Sequence, residues 1–317
     1  MHTFEWSLLI VIYLFLGGLS AGLFLFSAIL TFTGNKALRG LARVAGMLAP
    51  WPVMIGAGLL IFDLGKPLRM WRLFAVVEWS SPMSIGSWLL MIFSGVSLLH
   101  AMLWKWPAGP DLIRIGRMRI LLWTPERRRA VRRFLAASGT PLALGVGIYT
   151  GVLLGAVPAR PFWNTPTVAM LFLFSALSTA AALLILVSNW RRGGAEPARF
   201  DSERRFLYGA DLGIILLEVF LVIPFFLHSA LSTASQARSL DMVLGGPYTA
   251  LFWVGFVGIG LVLPFIIELF DVLPLIAGQS DTKHHPVLGY MTALQVLAGG
   301  FILRWVFVFA GQATHFG

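Results

Sequence analysis

Residues Ile12–Phe26 read IYLFLGGLSAGLFLF, an apolar run without a single charge. It extends over roughly 6–32, more than the ~20 residues a helix needs to cross a hydrocarbon core. Seven further runs of this kind follow, at roughly 41–63, 84–104, 134–157, 163–189, 206–230, 247–270 and 285–312. Lipid offers no partners to an open backbone, so continuous apolar segments of this length predict helices. The alternating ten-residue segments of a barrel are missing. The whole chain is 58% hydrophobic and 12% charged, with mean hydropathy +0.82. A soluble domain carries about a quarter of its residues charged. The expectation is an all-α membrane protein, one integral multi-pass domain over residues 1–317 with eight transmembrane helices. The first run begins almost at once, lacks a basic leader and is too long for a cleaved segment, so no signal peptide is expected.

Basic residues set the orientation. Connections 1–2, 3–4, 5–6 and 7–8 hold 18 of the 24 Lys and Arg, the opposite side holds 5, and Arg304 lies inside the last span. The basic side is therefore expected in the cytoplasm, with both termini outside. This split accounts for most of the net charge of +10. Nucleic acid is a poor reading of it, because the charges sit in short loops beside membrane spans. The longest connection, about 105–133, contains LIRIGRMRILLW (Leu112–Trp123). Its mixed Arg and apolar positions predict an amphipathic element lying on anionic membrane lipid.

The run from Ile12 aligns with MLFLFSALSTAAALL from Met170 at an offset of 158. Four spans separate the two, so both helices run the same way. Two four-helix bundles related as a parallel repeat are expected, with halves of about 1–157 and 158–317. Gly18 and Gly22, and Ser178 and Ala182, form small-xxx-small pairs that let helices approach closely or leave room for a flat ligand.

The chain has no cysteine to ligate an iron–sulfur cluster. His100 and His228 fall at opposite depths, so no haem pair is evident, and no P-loop, dinucleotide fingerprint or HExxH motif occurs. No metal site is expected. Ionisable and polar residues inside the membrane remain as candidates. Tyr13, Tyr149, Arg304, His228, Asp63 and Asn164 come from six spans at one outer level, which predicts a pocket. Asp211 and Glu218, seven residues apart, share a helix face nearer mid-membrane. They read either as a proton relay or as protonated carboxyls bonding between bundles. Glu268 and Asp271 read as boundary residues. The outer stretch IFDLGKPLRMWR (Ile61–Arg72) runs against the positive-inside trend, which suits headgroup contact, a polar pocket or a docked partner.

These residues resemble the NrfD/PsrC family, the integral-membrane quinone-reactive subunits of nitrite, polysulfide and related reductases. The resemblance rests on IYLFLGGLSAG, FDLGKPLRMWRLF, SPMSIGSWLL, GIYTGVLLG, RPFWNTP, LFLFSALSTAAA and LRWVFVFAGQ, in this order along nearly the whole chain. It implies eight or nine helices, a bound quinone or menaquinone, and a bacterial or archaeal cytoplasmic (inner) membrane. It also implies an iron–sulfur ferredoxin-like subunit and a catalytic subunit of molybdopterin or multihaem type on the outer face. The terminal substrate would then be chosen by that partner. Tyr149 matches a tyrosine of the family's quinone pocket. Tyr13 and Asp63 stand where other members have histidine, and Lys66, Arg69 and Trp71 follow the outer-loop pattern. A headgroup needs hydrogen-bond donors and a proton exchanger. Tyr13, Tyr149, Arg304 and His228 are candidate donors; Asp63, His228 and Glu218 are candidates for proton transfer. Asn164 would line the pocket, and Lys66 and Arg69 its lip. A proton-translocating or transporter-like subunit, or a quinone-free anchor, are the alternative readings.

Overall fold

The computed structural model describes residues 6–63, 78, 81–105, 111–115, 118–157, 159–191, 197–276 and 286–314, with the backbone alone at 63, 105, 111–115, 118–123, 197–199, 272–276 and 286. Lys66, Arg69, Trp71 and the Asp63 side chain lie outside the described residues. Eight helical stretches are long and apolar enough to cross a membrane, at the positions the apolar runs predict. The first span is α1 (Leu8–Thr33) and the second is α2 (Arg39–Leu48) continued by α3 (Pro50–Asp63). The third and fourth are α4 (Pro82–Lys105) and α5 (Pro125–Gly155). The fifth and sixth are α6 (Thr167–Trp190) and α7 (Pro197–Leu231). Two short helices follow, α8 (Ala234–Ser239) and α9 (Asp241–Leu244). The seventh span joins a π-wound segment, α10 (Leu251–Val262), to α11 (Leu263–Ile276), and α12 (Pro286–Ala313) closes the bundle.

Local signals fix the helix ends. The Ser7 hydroxyl accepts from Leu9 N at 3.2 Å, and Gly34 at φ 66° ends the first span where a side chain would be strained. Thr124 caps α5 by accepting from Arg127 N, with Pro125 at the first helical position. The second span breaks at Ala49, between α2 and a stretch holding Pro50 and Pro52. Proline lacks the N–H that a continuous ladder needs. Ser20 of α1 donates its hydroxyl to the Ala49 carbonyl at this break. The 105–133 connection adds a feature to the helical fold. Strands β1 (Asp111–Ile115) and β2 (Met118–Trp123) pair as an antiparallel ribbon, with Ile113 opposite Ile120 and Arg114 opposite Arg119.

Within the first half, α1 packs on α2, α3 and α5, and α4 packs on α2, α3 and α5. Within the second, α6 packs on α7 and α12, and the seventh span packs on α7 and α12. Helices α1 and α6 meet at the centre. A Cβ on Gly22 would lie 2.3 Å from the Ala176 carbonyl oxygen and 2.7 Å from Ala180 Cβ, and one on Gly18 would lie 3.2 Å from Ala176 Cβ. The glycine pair is therefore a close backbone contact. Its partners are Ala176 and Ala180; Ser178 turns away toward α7.

Helix α7 shows how the lipid inverts the usual amphipathic rule. Asp211, Ile215, Glu218, Val222, Phe225 and Ser229 form its buried face. Leu216, Phe220, Ile223, Leu227 and Leu231 form an exposed apolar stripe on the opposite side. At the far end, Trp6 N donates to Gln312 Oε1 at 3.0 Å and Gln312 Nε2 donates to Trp6 O at 3.1 Å. Arg160, from the connection between the halves, donates to the carbonyls of Gln312 and Thr314.

Candidate functional site

The polar residues expected at one level separate into two neighbourhoods on either side of α1. The first is phenolic. Tyr13 (1% exposed) lies against Gly56 of α3, where a Cβ would stand 3.4 Å from its ring. Tyr149 lies on Gly86 of α4, where a Cβ would come within 1.9 Å of the hydroxyl oxygen. Gly86, from SPMSIGSWLL, is thus a seat that no larger residue can replace without moving the phenol. The helices that carry the two phenols, α1 and α5, pack on each other. No hydrogen bond joins either hydroxyl to another described residue, and neither oxygen is fully enclosed. Both are thus placed to donate to something other than the described side chains.

The second neighbourhood is ionic. Arg304 of α12 is fully buried. Its Nε donates to Leu14 O at 3.3 Å, Nη1 to Gly300 O at 2.6 Å and Ser175 Oγ at 3.1 Å, and Nη2 to Phe172 O at 3.4 Å. The space comes from glycine again, since a Cβ on Gly18 would stand 2.8 Å from Nη2. The room that the small-residue pair was expected to leave for a flat ligand is filled here by a guanidinium. Rings of Phe15 and Phe172 lie 5.6 and 5.3 Å from Cζ. A buried cation costs several kcal/mol in desolvation unless bonded and paired. No carboxylate stands within ion-pair distance of it among the described residues, so these hydrogen bonds and rings hold the charge.

From Arg304 a line of buried groups runs along the α6–α7 contact. Ser175, which accepts from Arg304, and Ser178 lie on α6 at this contact, and Glu218 is buried on the facing side of α7. Glu218 Oε1 has no partner among the described residues. Ser178 Oγ donates to Asp211 Oδ1 at 3.1 Å. Glu268 of α11, which packs on α7, is also fully buried, and Asp211 Oδ2 and both Glu268 oxygens have no hydrogen-bond partner among the described residues. Carboxyls buried this way favour the protonated form. One turn further, Asp271 pairs with Arg204 at 2.5 Å. The line ends where connections 5–6 and 7–8 leave the bundle. Glu268 is therefore no boundary residue: it joins the set with Asp211. Ser175, which accepts from Arg304, and Ser178, which donates to Asp211, give no sign of these contacts in the sequence beyond their small size. Matching the depths of Asp211 and Glu268 at the same end of neighbouring spans is the signal that would have paired them.

Other candidates fall outside both groups. His228 is exposed and sits on the apolar stripe between Leu227 and Leu231. Asn164 is exposed and precedes the fifth span; its carbonyl accepts from Gln236 Nε2 at 2.6 Å, which makes it a loop anchor. The RPFWNTP stretch forms a plug. Trp163 is buried, donates Nε1–H to Phe307 O at 2.6 Å, and stacks near Trp6 at 5.1 Å.

The fold and these two neighbourhoods define a polytopic helical membrane protein with an ionisable interior and no thiol chemistry. Sequence comparison places it further. The model of the polysulphide reductase NrfD family matches residues 1–316. A polysulfide reductase polypeptide of Wolinella succinogenes is 32% identical over 98% of this chain and 95% of its own length. Protein NrfD of Escherichia coli is 31% identical over 99% of this chain and 96% of its own. A selenate reductase subunit of Mesobacillus selenatarsenatis is 26% identical over 98% and 75%. The chain belongs to the NrfD family.

Proposed function

We propose that this chain is the membrane subunit of a respiratory oxidoreductase. It exchanges electrons between quinone, of menaquinone or related type, and an iron–sulfur ferredoxin-like subunit. That subunit, with a catalytic partner of molybdopterin or multihaem type, docks at the end where α1 begins and α12 finishes, with Lys66 and Arg69 as proposed contacts. This end faces outward by the distribution of basic residues, in a bacterial or archaeal cytoplasmic membrane. The parallel repeat belongs to the same reading, and the matching neighbour pattern of the two halves supports it.

The observation that carries the proposal is the phenol pair. Tyr13 and Tyr149 are buried donors without partners among the described residues, seated in spaces kept open by Gly56 and Gly86. A quinone, when bound, supplies a two-electron, two-proton carrier whose carbonyl oxygens accept hydrogen bonds. The phenols, held in place by their glycine seats, would donate to such oxygens and orient the ring. Asp63, closing α3 at the same end, would exchange protons with the outer side. Tyr149→Phe keeps the ring and removes the hydroxyl. Quinol-linked reduction of partner clusters is expected to fall roughly tenfold, for about 1.4 kcal/mol lost. Activity with an artificial donor that bypasses quinol is expected to survive. Unchanged quinol kinetics in the Phe variant would remove Tyr149 from the site.

A second reading concerns the acid line. Buried Glu218, Asp211 and Glu268, with Ser178 bonded to Asp211, run from mid-membrane to the basic-loop end, which favours proton translocation beside electron exchange. Glu218→Gln keeps size and hydrogen bonding but carries no proton. In sealed vesicles it is expected to abolish any charge movement across the membrane while assembly persists. Full turnover and charge movement in the Gln variant would make Glu218 a structural hydrogen bonder.

A further inference from the structure

A cavity of about 320 Å³ opens where α1, α2 and α4 meet the start of α5, at the opposite end from the phenols. Lys36, Arg39, Arg129, Arg132 and Arg133 line it together with Trp104. Among the described residues no carboxylate stands within ion-pair distance of any of these five cations. Like charges gathered this closely repel one another unless an anion enters. The floor is built, not incidental. The Arg132 guanidinium lies 3.9 Å over the Trp104 ring, and its Nε is buried without a partner among the described residues. Trp104 is fixed in turn by donating Nε1–H to His100 Nε2 at 2.9 Å, with Ser27 Oγ 3.0 Å from the same nitrogen. His100 is thereby explained as a buried support, and no redox or ligand role is needed for it.

We propose that this cavity is a phosphoryl-group site. Forked guanidinium donors match the oxygens of a phosphate, and basic pockets between spanning helices suit anionic headgroups. The cavity sits at the helix ends, the depth of a headgroup, and exposed Ile29, Phe32 and Phe134 offer apolar surface nearby for acyl tails. A phospholipid phosphate and a free phosphate ion share this chemistry, and the test separates them.

The full-length protein is purified in non-ionic detergent, stripped of lipid, and melted with phosphatidylglycerol, phosphatidylcholine or inorganic phosphate. A rise in Tm with phosphatidylglycerol alone supports the site and assigns the lipid. A rise with inorganic phosphate alone supports the site and assigns a free anion. Arg129→Gln with Arg133→Gln removes two charges but leaves Arg132 stacked on Trp104, so the fold is retained. Apparent affinity for the stabilising anion is expected to weaken roughly thirtyfold. Arg43→Gln, an exposed residue of α2 outside the cavity, is expected to leave it unchanged. The proposal is overturned if neither anion raises Tm, if phosphatidylcholine matches phosphatidylglycerol, or if the double variant binds as well as Arg43→Gln.

Discussion

The two halves of the chain pack their helices in the same pattern yet fill the interior with different chemistry. At the offset of 158 residues, Tyr13 corresponds to Leu171 and Tyr149 to Phe307. In the other direction, buried Val146 corresponds to buried Arg304. Ser20 and Ser178 also correspond, and both turn away from the central contact. Ser20 meets the Ala49 carbonyl at a proline-broken helix, whereas Ser178 meets the Asp211 carboxylate. The first half thus holds neutral donors around glycine-made space, and the second holds charge that must be bonded. On the proposed function, a shared scaffold with divided chemistry would keep ligand binding and proton movement from interfering. Low dielectric strengthens every interaction on the charged side and raises the cost of leaving one unmade.

Breaking the charged side is expected to produce the largest effect. Arg304→Met removes a buried cation and leaves the oxygens of Leu14, Gly300, Phe172 and Ser175 without their donor. A loss of about 2–5 kcal/mol is expected for hydrogen bonds to a charged, buried group. It is read as lower Tm and lower yield of assembled protein. An unchanged Tm would show that these bonds are not the reason Arg304 is tolerated.

Gly86→Ala probes the phenolic side. The new Cβ collides with the Tyr149 hydroxyl, so the ring must leave its seat or the helices must part, at a cost of about 1–3 kcal/mol. Quinol-linked activity is expected to fall more than stability does, since the fold survives a displaced ring. A variant with full activity would mean that the phenol position is unimportant. The smallest effect is expected at His228→Leu. Replacing a residue on the lipid-facing stripe shifts stability by no more than about 0.5 kcal/mol, and turnover is expected to stay intact. A large loss of activity there would join His228 to the site and dissolve the division between the halves.

Much of this is legible in the sequence. Eight apolar runs become eight spans because length and hydropathy alone decide what crosses a bilayer. The shared buried face of Asp211 and Glu218 follows from helical spacing. The grouping of candidates is harder. Depth along a helix can be counted, so six residues at one level suggest one pocket. Azimuth depends on which helices are neighbours, and that puts Tyr13 and Arg304 on opposite sides of α1 and turns His228 outward. Glu268 escapes for a related reason: a carboxyl near a helix end reads as a boundary until the neighbouring helix brings Asp211 to it. The β1–β2 ribbon escapes because alternating Arg and apolar residues in so short a stretch suit a strand or an amphipathic helix equally.

The reciprocal bonds between Trp6 and Gln312, with Arg160 fastened to the same corner, make the polypeptide almost a closed ring. The start of α1, the end of α12 and the connection between the halves meet at one corner. A permuted chain that joins Trp6 to Thr314 by a short linker and opens near Ala159 would therefore present the second half first without asking any helix to change neighbours. On this geometry the sequential order of the halves is a convention of the gene and not a requirement of the fold.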